Sequence, residues 1–297
     1  MVPNPVLKKL GFSNTDRLVI LHTDDIGMCQ ASLAAFIDLW ENEAISSGAI
    51  MMPCPWAKPA AEYCRTHSGV DMGVHATITA EWDGYRWSAL STRDPASGLM
   101  DKYGFLWQTS RETQANATPD AVASELQLQV RKALDWGVDV THVDSHMGTV
   151  IHPKFMQAYV QAARQARVPA MLPRADTGML HFMGLDDETA ARFTAFIAGL
   201  EEQGLPLVDG MAMLPLDQPD GQLDITKKML FELPAGVTHF LFHPSIDTPE
   251  LRAIAPDWPS RVANYHTFMD PELNNFIKDQ GIQVIGYHHL RDLMRTS

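Results

Sequence analysis

The sequence has few cysteines, no long apolar run and a deficit of basic residues, and each absence excludes a class of protein. The three cysteines, Cys29, Cys54 and Cys64, are odd in number and show no C-x-x-C spacing. This pattern argues against a disulfide framework and against a cysteine zinc site, and it indicates a reducing compartment.

The missing apolar runs and the charge bear on location and partners. No run is apolar over the length that a bilayer requires, and the first residues, MVPNPVLKKLGF, lack the apolar stretch of a signal peptide. Lysine and arginine number 23 against 36 aspartates and glutamates, which gives a formal net charge of −13. Such a charge repels nucleic acids and anionic membranes. We therefore expect a cytoplasmic protein that binds neither.

Across its 297 residues the chain alternates between short apolar runs, often β-branched, and longer segments with helical periodicity. The predicted strands are residues 18–21, 49–52, 70–78, 138–143, 169–172, 206–208, 238–242 and 283–285. The predicted helices are residues 32–43, 57–66, 119–136, 153–166, 187–202, 223–231 and 271–279, with Thr118 as an N-cap and prolines 119, 153 and 271 in first turns. Alternation throughout predicts an α/β protein with a parallel sheet, either open or closed into a barrel. No break in composition divides the chain, so we expect one domain over residues 1–297.

One segment, residues 80–118, interrupts the alternation. It is rich in turn-forming residues and carries several aromatic side chains, among them Trp82, Trp87 and Trp107. A connection this long in a compact domain is often a functional lid, and aromatic faces suit the apolar faces of sugar rings. We predict that these tryptophans bind substrate. The alternative is a satellite core beneath a long loop.

The first predicted strand is followed by two adjacent carboxylates, Asp24 and Asp25. Neighbouring carboxylates at the end of a buried strand repel each other, and burial adds a desolvation cost unless a cation holds them. A turn capped by an aspartate side chain is the structural alternative, but it accounts for only one of the two.

Histidines recur at the ends of other predicted strands, where a parallel α/β fold gathers side chains at one edge. His75 lies in MGVHATIT, His146 in THVDSHMG and His243 in FLFHPSID. Two imidazoles and one carboxylate can bind a divalent metal and leave coordination positions open, as in catalytic sites. One aspartate of the pair would then ligate the metal, and the other would take a proton from water. Asp144 is either a further carboxylate of this site or the cap of the helix that follows.

Several motifs, in order along the chain, resemble those of the YdjC/ChbG carbohydrate deacetylase family. They are TDDIG, GAIMMPCPWA, MGVHATIT, THVDSHMGTVIHP, PRAD, FHPSID and the closing IQVIGYHHLRDL. The resemblance implies a distorted, TIM-barrel-like (β/α) barrel with about seven parallel strands, related to the NodB-like polysaccharide deacetylases. It also implies the metal-dependent removal of the acetyl group from an N-acetylated sugar.

The same resemblance implies a role for each residue of the site. The implied metal ligands are Asp25, His75 and His146. Asp24 is implied as the catalytic base, and His243 as the acid or the oxyanion stabiliser. Arg174 resembles the arginine that orients the base, with a structural ion pair as the alternative. The ligand chemistry favours zinc, and magnesium, manganese and cobalt also fit.

One departure from the family pattern follows His146. Many family members carry further histidines there, whereas this sequence has Met147 and Gly148. The metal set is unaffected, but a histidine-lined wall for the sugar is lost, so we expect a different sugar specificity. Two alternative functions stay open: hydrolysis of another amide or ester, and sugar binding without turnover. The expected partner is an N-acetylated sugar, and the sequence leaves a homodimer open.

Overall fold

The apolar runs of the sequence form the central strands, which are buried along almost their whole length, as parallel strands covered by helices are. The structure is a computed structural model that describes residues 3–174 and 186–296. Within these ranges, one parallel sheet contains seven strands. They are β1 (Arg17–Ile26), β2 (Ser47–Ile50), β3 (Met72–Ala76), β4 (Val140–Ser145), β5 (Gly210–Met213), β6 (Gly236–Phe242) and β7 (Gln283–Val284).

Strand β1 lies at the centre of the sheet, whose order is β4-β3-β2-β1-β6-β5. It pairs with β6 along one side, and on the other side with β7 near its start and with β2 near its end. Beyond β4, single bridges join Val143 to Ala170 and Pro173 to Val208. The residue after Val208 then hydrogen-bonds to the start of β6. The pairings therefore run around a ring, which confirms the predicted α/β class and the distorted barrel.

Two predicted strands, residues 169–172 and 206–208, form only these single bridges. Prolines 169, 173 and 206 lack the amide that a continuous ladder needs, so the pairing stays local. Conversely, β5 was not predicted. Its sequence, GMAM, has no β-branched residue, and its side chains are half-buried or exposed at the margin of the sheet.

Helices connect the strands and pack against the sheet. They are α1 (Pro5–Lys9), α2 (Gln30–Glu41), α3 (Ala57–Thr66), α4 (Ser110–Asn116), α5 (Pro119–Asp135), α6 (Met156–Gln165), α7 (Asp187–Glu202), α8 (Gln222–Phe231), α9 (Pro249–Ile254), α10 (Trp258–Met269), α11 (Pro271–Asp279) and α12 (Tyr287–Thr296). In the described ranges, none of them combines the length and apolar character needed to cross a membrane.

The predicted helix boundaries hold for α3, α7 and α11 and at the start of α5, and they fail at the start of α6. Thr118 caps α5 as predicted, because its side chain accepts a hydrogen bond from the amide of Ala121. The predicted start of α6 at Pro153 is wrong. Pro153 lies in a turn that closes when the amide of Phe155 donates to the carbonyl of His152, and the helix begins afterwards.

Residues 80–118 form a packed segment with a short 3₁₀ helix, Pro95–Ser97, and the helix α4. Its backbone is held by polar anchors. The carboxylate of Glu125, on α5, accepts hydrogen bonds from the amides of Leu90 (3.0 Å) and Ser91 (2.7 Å). The indole of Trp87 donates to the carbonyl of Thr79 (2.8 Å). The segment is therefore anchored to α5 and to the chain that follows β3.

Candidate active site

An irregular backbone at the end of β1 brings both aspartates to one place. Side chains alternate between the two faces of a regular strand, so Asp24 and Asp25 would normally point apart. Here Asp25 has a φ of 60°, and the pairing with β2 shifts register between Thr23 and Ile26. Nε2 of His75 lies 3.7 Å from Asp24 Oδ2 and 3.5 Å from Asp25 Oδ1. The left-handed backbone of Asp25 therefore brings both carboxylates next to the imidazole of His75.

The structure brings the three predicted metal ligands together. Nδ1 of His146 lies 3.2 Å from Asp25 Oδ1, on the same oxygen that faces His75. One potential ligand atom from each of the three residues lies within 4.8 Å of the others, and all three residues are buried. His75 is on β3, next to β4, and His146 follows the end of β4, so the parallel strand ends build this cluster.

The outward-facing nitrogens of both histidines are held by carboxylates. Nδ1 of His75 lies 2.8 Å from Asp144 Oδ1, and Nε2 of His146 lies 3.0 Å from Glu81 Oε2. Such partners fix which nitrogen faces a metal, and they raise the basicity of the ligand. Asp144 thus belongs to the site, and its alternative role as a helix cap is wrong because α6 begins at Met156. Glu81 was not identified from the sequence.

A buried arginine, also missed from the sequence, contacts Asp25. Nη1 of Arg261, on α10, donates to Asp25 Oδ2 (2.7 Å), and its Nε donates to Asp257 Oδ1 (2.9 Å). Arg261 is 3% exposed, so this charge-assisted contact is shielded from water. One oxygen of Asp25 is thereby satisfied, and the other is left for a second cation.

The residues present fit a divalent metal. In the part of the chain that the structure describes, Asp25 Oδ1 is buried without a hydrogen bond of normal geometry. It faces two imidazole nitrogens whose distal partners are carboxylates, which is the donor set of a catalytic metal site. Burial lowers the pKa of His146, but Glu81 and Asp25 outweigh it and raise the pKa to about 9. The carboxylates therefore stabilise positive charge at this point, and either protons or a metal ion can provide that charge.

The two oxygens of Asp24 have different surroundings. Nδ1 of His22 lies 2.8 Å from Asp24 Oδ1, whereas Oδ2 lies 3.7 Å from both His75 Nε2 and His243 Nε2. Burial raises the pKa of Asp24, but His75, His22 and His243 outweigh burial and lower the pKa below its usual value. Asp24 is thus ionised near neutral pH, with one oxygen free to accept a proton. Its partner His22 was not identified from the sequence.

His243 follows β6 and reaches the same place. Its backbone amide donates to Asn264 Oδ1 (2.9 Å), and its ring nitrogen Nδ1 is buried without a hydrogen bond to any described residue. Burial lowers the pKa of His243 despite the carboxylates of Asp25 and Asp24. The ring is therefore neutral near pH 7, which favours N–H donation to an oxyanion over the role of acid.

Arg174 lies elsewhere. It forms ion pairs with Glu201 (2.8 Å) and Asp209 (3.3 Å). Asp209 Oδ2 accepts a hydrogen bond from the amide of Val237, at the amino end of β6, whereas His243 follows the carboxyl end of that strand. The contacts of Arg174 with Glu201 and Asp209 match its structural alternative, and they give no support to the predicted role of orienting Asp24. The guanidinium that contacts Asp25 is that of Arg261.

The aromatic segment lies against the site, but its tryptophans differ in surroundings. The ring of Trp87 lies 6.3 Å from the ring of His146, and Trp82 lies 5.9 Å from Trp87 and 5.4 Å from the guanidinium carbon of Arg261. Trp87 is only 4% exposed and Trp82 only 9% exposed, so both support the wall of the site. Trp107 is half-buried, and its indole donates to the carbonyl of Gly98 (2.8 Å). Substrate stacking by the three remains a prediction.

The chain is similar to known proteins in both sequence and fold. The family described as YdjC-like protein matches residues 18–279. The chain is 26% identical over 274 residues to a carbohydrate deacetylase of Thermus thermophilus, covering 92% of this chain and 94% of the relative. It is also 26% identical over 191 residues to a chitooligosaccharide deacetylase of Yersinia pestis, covering 64% of this chain and 72% of the relative.

Among solved structures, a putative cellobiose-phosphate cleavage protein from Enterococcus faecalis has a similar fold. The TM-score is 0.74 at 17% sequence identity, and the match covers 93% of this chain and 99% of that protein. This likeness supports the barrel architecture alone.

Proposed function

This chain belongs to the YdjC-like protein family, and from that premise we propose that it is a metal-dependent hydrolase that removes the acetyl group from an N-acetylated sugar. One observation carries the proposal. Asp25, His75 and His146 form a buried donor set for a metal, and the free oxygen of Asp24 lies beside it. Two relatives of this chain are named carbohydrate deacetylase and chitooligosaccharide deacetylase.

The metal would have a defined task. Asp25, His75 and His146 would hold a divalent ion, which would supply Lewis acidity to the reaction. Two nitrogen donors and one oxygen donor favour zinc, and they also accept cobalt, manganese or magnesium. Arg261 keeps Asp25 ionised and fixes its second oxygen, so that the first stays available as a ligand.

The side chains move the protons. Asp24 Oδ2 takes a proton from a water molecule while the oxygen of that water attacks the acetyl carbon. His243, neutral and close to Asp24, donates its N–H to the oxyanion that develops on the carbonyl oxygen. Asp24 then gives its proton to the amide nitrogen as the C–N bond breaks. The products are acetate and the free amino sugar, and Asp24 is again ionised.

The site also has features that would select a substrate. Met147, directly after the ligand His146, is 47% exposed and has a φ of 53°. It offers a flexible apolar side chain at a position where the family pattern has histidine. The aromatic segment, which contacts His146 through Trp87, forms the neighbouring wall. We expect these two features to decide which acetamido sugar is accepted.

Acetate release tests the proposal. The full-length protein is incubated with N-acetylated monosaccharides and oligosaccharides, with O-acetylated sugars and with a simple acetamide, each with and without chelator. The proposal expects acetate from an N-acetylated sugar, its loss with chelator and its return with added metal. Release from esters or other amides alone would favour a different hydrolase. Sugar binding without any release would favour a barrel that has lost turnover.

A further inference from the structure

Beneath the proposed metal site, the interior of the barrel contains a cluster of buried rings that no step above uses. His22 on β1, His142 on β4, His239 on β6 and Tyr287 on α12 are each at most 1% exposed. The rings of His142 and Tyr287 stack at 3.8 Å, and the hydroxyl of Tyr287 lies 2.9 Å from Nδ1 of His239. A barrel core is normally filled with branched aliphatic side chains, so this polar filling is unusual.

The cluster contains a continuous chain of hydrogen bonds from Asp24 to a carboxylate at the other end of the barrel. Nε2 of His22 lies 2.8 Å from Nε2 of His142, and Nδ1 of His142 lies 3.0 Å from the hydroxyl of Thr141. That hydroxyl donates to Asp71 Oδ1 (2.7 Å). Asp71 precedes β3 and therefore lies at the amino end of the strand that carries His75 near its carboxyl end.

The direction of every hydrogen bond in this chain follows from Asp71. Burial raises the pKa of Asp71, but hydrogen bonds from His288 and Thr141 and the nearby His142 outweigh burial and lower it, so the group is an anion that only accepts. Thr141 has one hydroxyl proton and directs it to Asp71. His142 must therefore donate from Nδ1 to Thr141. Burial lowers the pKa of His142 to about 3, so its ring is neutral and its Nε2 has no proton.

His22 then faces an acceptor on each side. Its Nε2 must donate to the bare Nε2 of His142, and its Nδ1 must donate to the carboxylate of Asp24. A ring that donates from both nitrogens is an imidazolium. Asp144 Oδ2, which is buried without a hydrogen bond to any described residue, lies 3.4 Å from His22 Nε2. The positive ring thus lies between two carboxylates.

We propose that His22 is the positioning residue of the catalytic base, and that Asp71, through Thr141 and His142, fixes it as a donor to Asp24. The proposal rests on the proposed function for its catalytic meaning. By occupying Oδ1 of Asp24, His22 leaves Oδ2 as the oxygen that accepts the proton from water.

A second group of possible metal ligands surrounds His22, but it does not form a metal site. Ligand atoms of His22, Asp24, Asp144 and His239 come within 4.8 Å of one another. However, His22 Nε2 lies 2.8 Å from His142 Nε2, which is a hydrogen-bond distance, and the other His22 nitrogen is engaged with Asp24. Since both nitrogens of His22 are committed, none is left as a ligand.

Kinetics test the catalytic part. In His22→Leu, which removes both donors, we expect kcat to fall by about 10- to 100-fold while KM and metal content stay unchanged, as for other groups that orient catalytic side chains. His22→Asn keeps an N–H donor near the position of Nδ1, so it should recover most of the lost kcat. Ser47→Ala is the matched control, because Ser47 donates to the same oxygen of Asp71 (2.8 Å) but lies outside the chain. A wild-type kcat in His22→Leu would overturn the proposal.

Imidazole NMR tests the direction of the hydrogen bonds without any substrate. Long-range ¹H–¹⁵N spectra of the full-length protein, with zinc and after chelation, should contain a doubly protonated ring that disappears in His22→Asn. In Asp71→Asn, the amide oxygen must face the backbone amide of His288, which can only donate (2.7 Å), so the amide NH₂ faces Thr141. The hydrogen bonds between Thr141, His142 and His22 then point the opposite way, and the ring of His22 should become neutral.

Thr141→Val, which interrupts the chain, is a second variant should Asp71→Asn fail to fold. A His22 ring that carries a single proton in the wild-type protein would refute the assigned direction, whatever the kinetics show. If no N-acetylated sugar releases acetate, the proposed function fails, whereas the spectra still decide whether His22 is held as a donor to Asp24.

Discussion

At the scale of single residues, the two oxygens of Asp25 have different partners. Oδ2 accepts a hydrogen bond from Arg261, and Oδ1 faces the imidazoles of His75 and His146. The neighbouring Asp24 has different partners: its Oδ1 contacts His22, and its Oδ2 faces His75. This geometry allows one of two adjacent carboxylates to ligate a metal while the other acts as a base, because a different side chain holds each of them.

Asp24→Asn tests the role of the base. The substitution keeps the shape of the side chain but removes its capacity to take a proton, so turnover should fall by a factor of about 10² to 10⁴. Metal content should not change, because Asp24 is not among the proposed ligands. Steady-state acetate release and elemental analysis are the measurements. Asp135→Asn, on an exposed position of α5, is the matched control. A near-normal rate for Asp24→Asn would mean that another group is the base.

The sequence predicted the residues that lie in local motifs, and it failed for their distant partners. Asp24, Asp25, His75 and His146 each follow or end a recognisable strand, so their convergence could be expected from a parallel fold. Arg261 lies 236 positions from Asp25, and its surroundings, WPSRVANYH, show only an ordinary helix. His22 was missed for a related reason. It lies inside an apolar strand, where a histidine is normally interpreted as a structural residue of the core.

At the scale of elements, the docking of helix α12 depends on one glycine. The amide of His288 donates to Asp71 Oδ2 (2.7 Å), which brings the helix start against the carboxylate. A Cβ at Gly286 would collide with the same oxygen and lie 2.9 Å from the carbonyl of Ser46. The helix can therefore approach this close only where the chain has no side chain.

Gly286→Ala should lower stability for this reason. Overpacking of this kind costs about 1–3 kcal/mol, and each 1 kcal/mol lowers Tm by roughly 2 °C in a domain this large. Gly199→Ala is the matched control. Gly199 lies inside α7 with no atom near its added Cβ, so alanine there should leave Tm unchanged or raise it slightly. Thermal unfolding of both variants, followed by circular dichroism, is the measurement. Equal Tm values would show that α12 is not docked in this way.

At the scale of the whole molecule, the barrel is what gathers the site. Alternating strands and helices predicted the parallel sheet, because each strand carries a readable apolar run. The closure of the ring could not be predicted from periodicity. It depends on single bridges at Ala170 and Pro173, in proline-rich segments that pair too briefly to show a strand pattern. The ring brings the ends of β1, β3, β4 and β6 to one mouth, where all proposed catalytic groups meet.

Metal content tests most directly whether Asp25, His75 and His146 form a metal site. The wild-type chain, loaded with zinc and dialysed, should hold one ion per chain by elemental analysis. His75→Ala and His146→Ala should each lose it, whereas His67→Ala, at an exposed position on the surface, should retain it. Equal zinc content in all four proteins, or none in the wild type, would contradict the metal site on which the proposed deacetylation depends.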